Sequence, residues 1–142
     1  MDVIESLLDK DDQRAYQALL SLEGQSAESD AIYPYFNEFV KMLAHEKSYV
    51  RVRGFRMICV LARWDANQKI EGSLRTILAE LDDEKPIAVR QCLAALHELV
   101  LYKPGLSGQI EEKIKALDYA KYKTTMQPLI KKDAEALLSI LA

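Results

Sequence analysis

The most informative segment of this 142-residue chain reads KPIAVRQCLAAL and spans residues 85–96. A similar segment, SYVRVRGFRMIC, stands 37 residues earlier at residues 48–59, and this offset places Val52-Arg53 on Val89-Arg90. Apolar residues in both segments recur at intervals of three and four, which is the spacing of one face of an α-helix. The chain therefore contains at least two copies of one helical unit.

The segments that precede these two helices match as well. At an offset of 38, the apolar positions of residues 32–43 fall on apolar positions of residues 70–81. Weaker copies at either end bring the total to about four helical pairs, and no stretch alternates with a period of two. We predict an all-α protein of about eight helices, at residues 2–8, 12–22, 33–45, 49–63, 67–82, 86–102, 108–117 and 128–141. Gly24 is expected to end the second helix.

Helical pairs that repeat every 37 to 42 residues resemble HEAT and armadillo repeats. The specific likeness lies in DDEKPIAVR at residues 82–90, followed by AAL at residues 94–96. In HEAT repeats an acidic residue in the turn precedes Val-Arg and a pattern of small and apolar residues. The resemblance implies a right-handed α-solenoid of about four HEAT-like pairs. It implies one domain over residues 1–142, with repeats near residues 1–24, 30–64, 67–103 and 107–142.

The composition argues against several classes of protein. The 5 glycines and 4 prolines are too few for a collagen-like or low-complexity chain, and the formal net charge of −3 does not favour a general polyanion binder. The first residues lack the basic and apolar regions of a secretory signal. The longest apolar run, about six residues, is far shorter than a membrane span. We therefore expect a cytoplasmic protein that does not bind membranes.

The cysteines and histidines do not form a recognisable reactive site. Cys59 and Cys92 lie in apolar helical runs outside any C-x-x-C motif, which favours two buried small residues over a disulfide. His45 and His97 are not grouped with the thiols, and zinc needs about four ligands close together. We expect no metal site and no cofactor.

One equivalent position on the four second helices carries a basic residue, at Arg14, Arg53, Arg90 and Lys132. Arginines of this kind in HEAT-like proteins are commonly structural, so we favour pairing with acidic residues of neighbouring turns over contact with a ligand. The expected acidic partners are Asp9 or Asp11 for the first repeat, Glu46 for the second, and Asp83 or Glu84 for the third.

Charge is distributed unevenly along the chain. Residues 41–75 carry eight basic and three acidic side chains, whereas residues 1–30 carry eight acidic and two basic ones. Such asymmetry speeds and orients the encounter with a charged partner. Arg56 and Arg63 are seven residues apart and share one face of the fourth helix, next to Trp64. The alternatives are a solvated helix face for the arginines and a cover over a helix junction for the tryptophan.

The leading hypothesis is a non-catalytic scaffold or adaptor whose solenoid surface binds a protein partner, with an acidic segment facing the basic residues. The candidate partner-binding residues are Arg51, Arg56, Arg63 and Trp64. One alternative is nucleic-acid binding through the basic second repeat, although the isoelectric point near 5.5 argues against it. A less favoured alternative is a HEAT-like DNA glycosylase, which only the adjacent Trp64-Asp65 suggests. The chain is expected to be a monomer or a weak dimer, depending on whether the apolar residues 137–142 pack or lie exposed.

Overall fold

The computed structural model describes residues 2–141. Over this range the chain forms eight α-helices and no β-strand: α1 (Val3–Leu7), α2 (Asp12–Glu28), α3 (Phe36–Met42), α4 (Ser48–Val60), α5 (Lys69–Leu78), α6 (Pro86–Tyr102), α7 (Ser107–Lys115) and α8 (Gln127–Leu138). The prediction of an all-α protein with about eight helices is confirmed.

Short 3-10 segments account for most differences between the predicted and observed helix bounds. They lie beside α3, α4, α5 and α7, at Tyr33–Tyr35, Leu61–Trp64, Ala79–Asp82 and Pro104–Leu106. The predicted helices at residues 33–45, 49–63 and 67–82 each combine one such segment with an α-helix. The link between α7 and α8 combines turns with irregular chain, and it places the Tyr122 side chain in the core.

Helix α2 continues through Gly24 to Glu28, six residues beyond its predicted end. A glycine inside a helix costs only about 1 kcal/mol relative to alanine, and contacts with the rest of the molecule can exceed that cost. The added turn has such contacts. The Trp64 indole N–H donates to the Ser26 carbonyl at 2.6 Å, and the Arg63 guanidinium donates to the Ala27 carbonyl at 3.0 Å.

The even-numbered helices contact one another in chain order, α2 with α4, α4 with α6, and α6 with α8. The shorter odd-numbered helices α1, α3 and α7 pack against the even-numbered helix that follows each of them. Buried apolar side chains form a single cluster from Leu7 to Leu141, whose largest members include Phe36, Phe39 and Phe55. Complete burial of one such phenylalanine contributes about 1.5–3 kcal/mol.

When α4 and α6 are aligned by their first residues, the offset between them is 38 residues. Alignment of their Val-Arg pairs gives an offset of 37. α4 begins at Ser48 and α6 at Pro86, and in each helix the second residue is exposed and the third is buried. In the 38-residue register Arg53 corresponds to Gln91, and Arg90 corresponds to a valine. One residue turns a side chain by about 100° around a helix. Arg53 and Arg90 are therefore directed toward different neighbours.

Gly54 allows α4 to approach α3 closely. A Cβ atom at this position would lie 2.8 Å from the Phe39 carbonyl oxygen and 2.8 Å from the Met42 Cβ. Both atoms belong to α3, so any larger residue would force the two helices apart. The glycine is needed here for its lack of a side chain.

Charged side chains connect units that lie 31 to 46 residues apart in the sequence. The clearest ion pairs join Arg51 to Asp83, Arg56 to Glu23 and Arg90 to Asp133. The basic segment of residues 41–75 and the acidic segment of residues 1–30 are thus in direct contact. Part of the charge asymmetry seen along the sequence is neutralised by these contacts.

Cys59 and Cys92 are both buried and both free, which confirms the prediction of buried small residues. Burial raises the pKa of each thiol well above its ordinary value, because a thiolate would lose its hydration there. The thiols are therefore protonated at neutral pH.

Candidate functional site

A groove crosses α2, α4 and α6 over their first two to three turns and has a volume of about 820 Å³. We call it the three-helix groove and define it by six of the residues that line it: Tyr16, Tyr49, Val52, Arg56, Ile87 and Gln91. Because it spans three successive even-numbered helices, its walls come from segments that are far apart in the sequence.

Apolar side chains in the three-helix groove face water. Tyr49 is 62% exposed, Ile87 is 56% exposed and Tyr16 is 45% exposed. Tyr49 and Ile87 are the second residues of α4 and α6, so they occupy equivalent positions in the 38-residue register. Aromatic side chains of this kind are enriched in protein interfaces, where they provide large contact areas.

A lysine stands at the entrance of each helix that forms the groove. Lys47 and Lys85 immediately precede α4 and α6, and Lys10 lies two residues before α2. All three are exposed, and none forms an ion pair with another residue in the range 2–141. Two exposed acidic groups line the groove beside them: Glu46, and Asp12, which pairs with Arg53.

Sequence reasoning did not identify these lysines as functional candidates. Their separations of 37 and 38 residues equal the repeat period, so the periodicity was the signal that could have found them. The charge count instead favoured arginines of the basic segment of residues 41–75, which the fold uses for internal contacts.

Of the four predicted partner-binding residues, only Arg56 lines the three-helix groove. Its guanidinium makes two hydrogen bonds to the Glu23 carboxylate, at 2.8 and 3.0 Å, and lies 5.8 Å from the centre of the Tyr16 ring. This bidentate ion pair holds the Arg56 side chain against α2. The guanidinium therefore lies beside the exposed Tyr16 ring and lines the groove between α2 and α4.

Arg51 lies in a different place, at the junction between α4 and the turn before α6. It donates to both carboxylate oxygens of Asp83, at 2.9 and 3.1 Å, and to the carbonyls of His45 and Glu46. The bonds with Asp83 raise the pKa of Arg51 above its usual value. Its role in partner binding stays a prediction, since these internal contacts already use its donors.

Arg63 and Trp64 lie together at the far end of the same helices. Arg63 pairs with Glu98 at 3.1 Å and stacks on the Tyr102 ring at 4.8 Å, while Trp64 is half-buried against the end of α2. The structure thus separates the four predicted residues into three locations. Arg63 and Trp64 also stay predicted partner-binding residues, at a site distinct from the groove.

The four basic residues aligned along the second helices have different surroundings. Arg14 pairs with Asp9 at 3.0 Å and reaches Asp11 at 4.0 Å, as expected. The contacts of the next two differ from the expected ones: Arg53 donates to the Leu7 carbonyl and to Asp12, and Arg90 pairs with Asp133. Lys132 is exposed and forms no ion pair within the described part of the chain.

Asp65, the carboxylate that suggested a glycosylase, is completely enclosed. It accepts hydrogen bonds from the Tyr33 hydroxyl and the backbone N–H groups of Lys69 and Ile70, and it pairs with Lys103 at 3.1 Å. Burial alone would raise the pKa of Asp65, but these hydrogen bonds outweigh burial and lower it. The carboxylate holds the start of α5, and its internal contacts leave none of its side-chain surface exposed.

Two further properties concern residues 2–141 as a whole. No helix in this range combines the length and apolar character needed to cross a bilayer. The same range contains no cluster of three or more histidine, cysteine or acidic side chains placed to hold a metal ion.

Comparison of the chain with protein-family models, curated proteins and solved structures finds no match. The likeness to HEAT repeats therefore rests on the residues quoted above, and a functional assignment has to come from the three-helix groove itself.

Proposed function

We propose that this chain is a non-catalytic protein-interaction module, in which residues 1–142 form a short right-handed α-solenoid of HEAT-like pairs. Two features support the solenoid. Each even-numbered helix contacts the next one, α2 with α4, α4 with α6 and α6 with α8, and ion pairs join residues that are about one repeat period apart in the sequence. Stacked helical pairs present extended surfaces that suit the binding of another protein. A cytoplasmic location and a monomeric or weakly dimeric state remain part of the proposal.

The observation that carries the proposal is the exposure of large apolar side chains across three helices in one groove. Tyr16, Tyr49 and Ile87 each leave a substantial part of their surface in water. Single exposed apolar residues are common, but a contiguous set within a concave surface is typical of a binding site. Because the groove spans three helices, an extended segment of a protein partner can contact all three of these side chains at once.

Site-specific photo-crosslinking in the native cell tests this function. A benzophenone amino acid replaces Tyr49 in the groove, and in a matched control it replaces Thr76, an exposed residue of α5 that does not line the groove. We expect discrete protein adducts from position 49, their loss when Ile87→Ser is added, and none of these adducts from position 76.

Identical adducts from positions 49 and 76, or adducts unaffected by Ile87→Ser, would contradict the proposal. Sedimentation equilibrium of the unmodified chain determines separately whether it is a monomer or a dimer.

A further inference from the structure

We propose that the three-helix groove binds an extended acidic peptide segment of a protein partner, in which apolar residues lie between regularly spaced carboxylates. The charge of the segment is recognised by Lys10, Lys47 and Lys85, and its apolar side chains by Tyr49 and Ile87. This inference rests on the proposed function and adds to it the chemistry of the partner.

The charge argument follows from which cations of the groove are already neutralised. Arg53 pairs with Asp12 at 3.0 Å and Arg56 pairs with Glu23 at 2.8 Å, so both have internal counter-charges. The three lysines that line the same groove have no such partner within residues 2–141. Two carboxylates line the groove with them, Asp12, which already pairs with Arg53, and Glu46. The excess of free positive charge favours an acidic occupant.

The spacing of the lysines sets the pattern of the occupant. Packed helices lie about 8–10 Å apart, and an extended chain advances about 3.3 Å per residue, so lysines on neighbouring helices are separated by about three residues of peptide. Lys10, Lys47 and Lys85 stand at the starts of three neighbouring helices. The matching segment therefore has an acidic residue at about every third position and apolar residues between them.

The apolar part of the groove distinguishes a peptide from a nucleic acid. Tyr49 and Ile87 are among the most exposed large apolar residues of the chain, and Ile87 has no ring on which a base could stack. A phosphate backbone would be attracted to the lysines but would leave the isoleucine without a partner. Aliphatic and aromatic side chains of a peptide satisfy both parts of the surface.

The experiment uses a phage-displayed library of random peptides selected against the full chain, followed by affinity measurements on the enriched peptides. The test variant carries Lys10→Glu, Lys47→Glu and Lys85→Glu. The matched control carries Lys41→Glu, Lys123→Glu and Lys132→Glu, which changes the net charge equally at exposed lysines outside the groove. Circular dichroism verifies that both variants are folded.

We expect enriched peptides with acidic residues at about every third position. The test variant should weaken their binding by about 10- to 100-fold, and the control by less than about 3-fold, since screening weakens the effect of distant charges. Raising the salt concentration should weaken binding to the wild-type chain.

Other outcomes overturn the inference, and they separate it from the proposed function. The enriched peptides could lack acidic bias, bind the lysine variant and lose binding with Tyr49→Ala and Ile87→Ala. That result would contradict the acidic partner and leave the proposed function in place. If no peptide is enriched, or if the peptides bind every groove variant equally, both the acidic partner and the proposed function are contradicted. Tighter lysine-dependent binding of a 20-nucleotide RNA or DNA probe, or lysine-dependent self-association, would assign the groove to a different occupant.

Discussion

The arginines of α4 and α6 show how one Val-Arg sequence serves two different contacts. Arg53 reaches back from α4 to the first helical pair, where it donates to the Leu7 carbonyl at 3.0 Å, and its side chain is only 7% exposed. Arg90 reaches forward from α6 to Asp133 on α8, and its side chain is 36% exposed. A shift of one residue in register directs the two side chains to opposite neighbours.

The same two helices also differ in how closely they approach the helices before them. Gly54 brings α4 against the backbone of α3, whereas Cys92 holds the corresponding position of α6 in the 38-residue register. The comparison shows that the second helical pair is fixed by close backbone contact and a buried arginine. In α6 the corresponding position carries a side chain, and the arginine of its Val-Arg pair is partly exposed.

The largest effect is expected from Gly54→Ala. The new methyl group would lie 2.8 Å from two atoms of α3, so the helices must separate. Forcing extra volume into a packed core costs about 1–3 kcal/mol, and this site belongs at the upper end of that range because one contact is a backbone carbonyl. Urea unfolding of the wild-type and variant chains measures the loss.

Gly72→Ala provides the control for this substitution. Gly72 lies in α5, and a Cβ atom added there would meet no other atom within 4 Å, so alanine should raise the free energy of unfolding by about 0.5–1 kcal/mol. Equal losses for the two glycine variants would contradict the proposed role of Gly54.

Replacement of the two arginines should distinguish their contacts. Arg53→Met leaves the Leu7 carbonyl without its charged donor and should cost about 2 kcal/mol. Arg90→Met breaks a partly exposed pair and should cost less than about 1 kcal/mol. Thermal unfolding at matched protein concentration compares them, and a larger loss for Arg90→Met would reverse the comparison.

Glu80 makes the junction between the second and third pairs sensitive to pH. Desolvation and the nearby Asp83 raise its pKa to about 7, although Arg51 at 3.9 Å opposes this rise. The folded chain thus holds a proton that the unfolded chain releases near pH 4.5. The stability due to this group is complete below about pH 4.5 and is lost as the pH rises through 7.

We therefore expect Glu80→Gln to stabilise the chain at pH 8, by about 1–2 kcal/mol, and to have a much smaller effect at pH 5. Denaturant unfolding at pH 5, 6, 7 and 8 measures the difference. The carboxylates of Asp9 and Asp65 have lowered pKa values, so they stay ionised in this window and do not obscure the result. A difference that does not vary with pH would contradict the assignment.

Helical periodicity made the all-α fold and the helix count predictable, because apolar spacing marks helices directly. It did not predict the end of α2, since the contacts of Trp64 and Arg63 that support the turn beyond Gly24 come from 36 to 38 residues away. Local sequence contains no record of such distant contacts. For the same reason, aligning the identical Val-Arg pairs of α4 and α6 gave an offset of 37 residues, one fewer than the 38 observed between the two helices.

The candidate site was less predictable than the fold. The basic character of residues 41–75 was visible, but whether each cation has an internal partner depends on which carboxylates the fold brings near it. Arg51, Arg56 and Arg63 each pair with such a carboxylate, whereas Lys47 pairs with none among residues 2–141. A count of charges along the chain cannot separate these cases.

The buried thiols have a practical consequence for studying the joint between α4 and α6. Cys59 faces Gln91, Ala94 and Ala95 of α6, and Cys92 lies near enough to influence its ionisation. Because both thiols are buried, an alkylating reagent can modify them only when the structure around them opens. The rate of cysteine labelling under native conditions would therefore report how often the centre of the molecule opens, without any added probe.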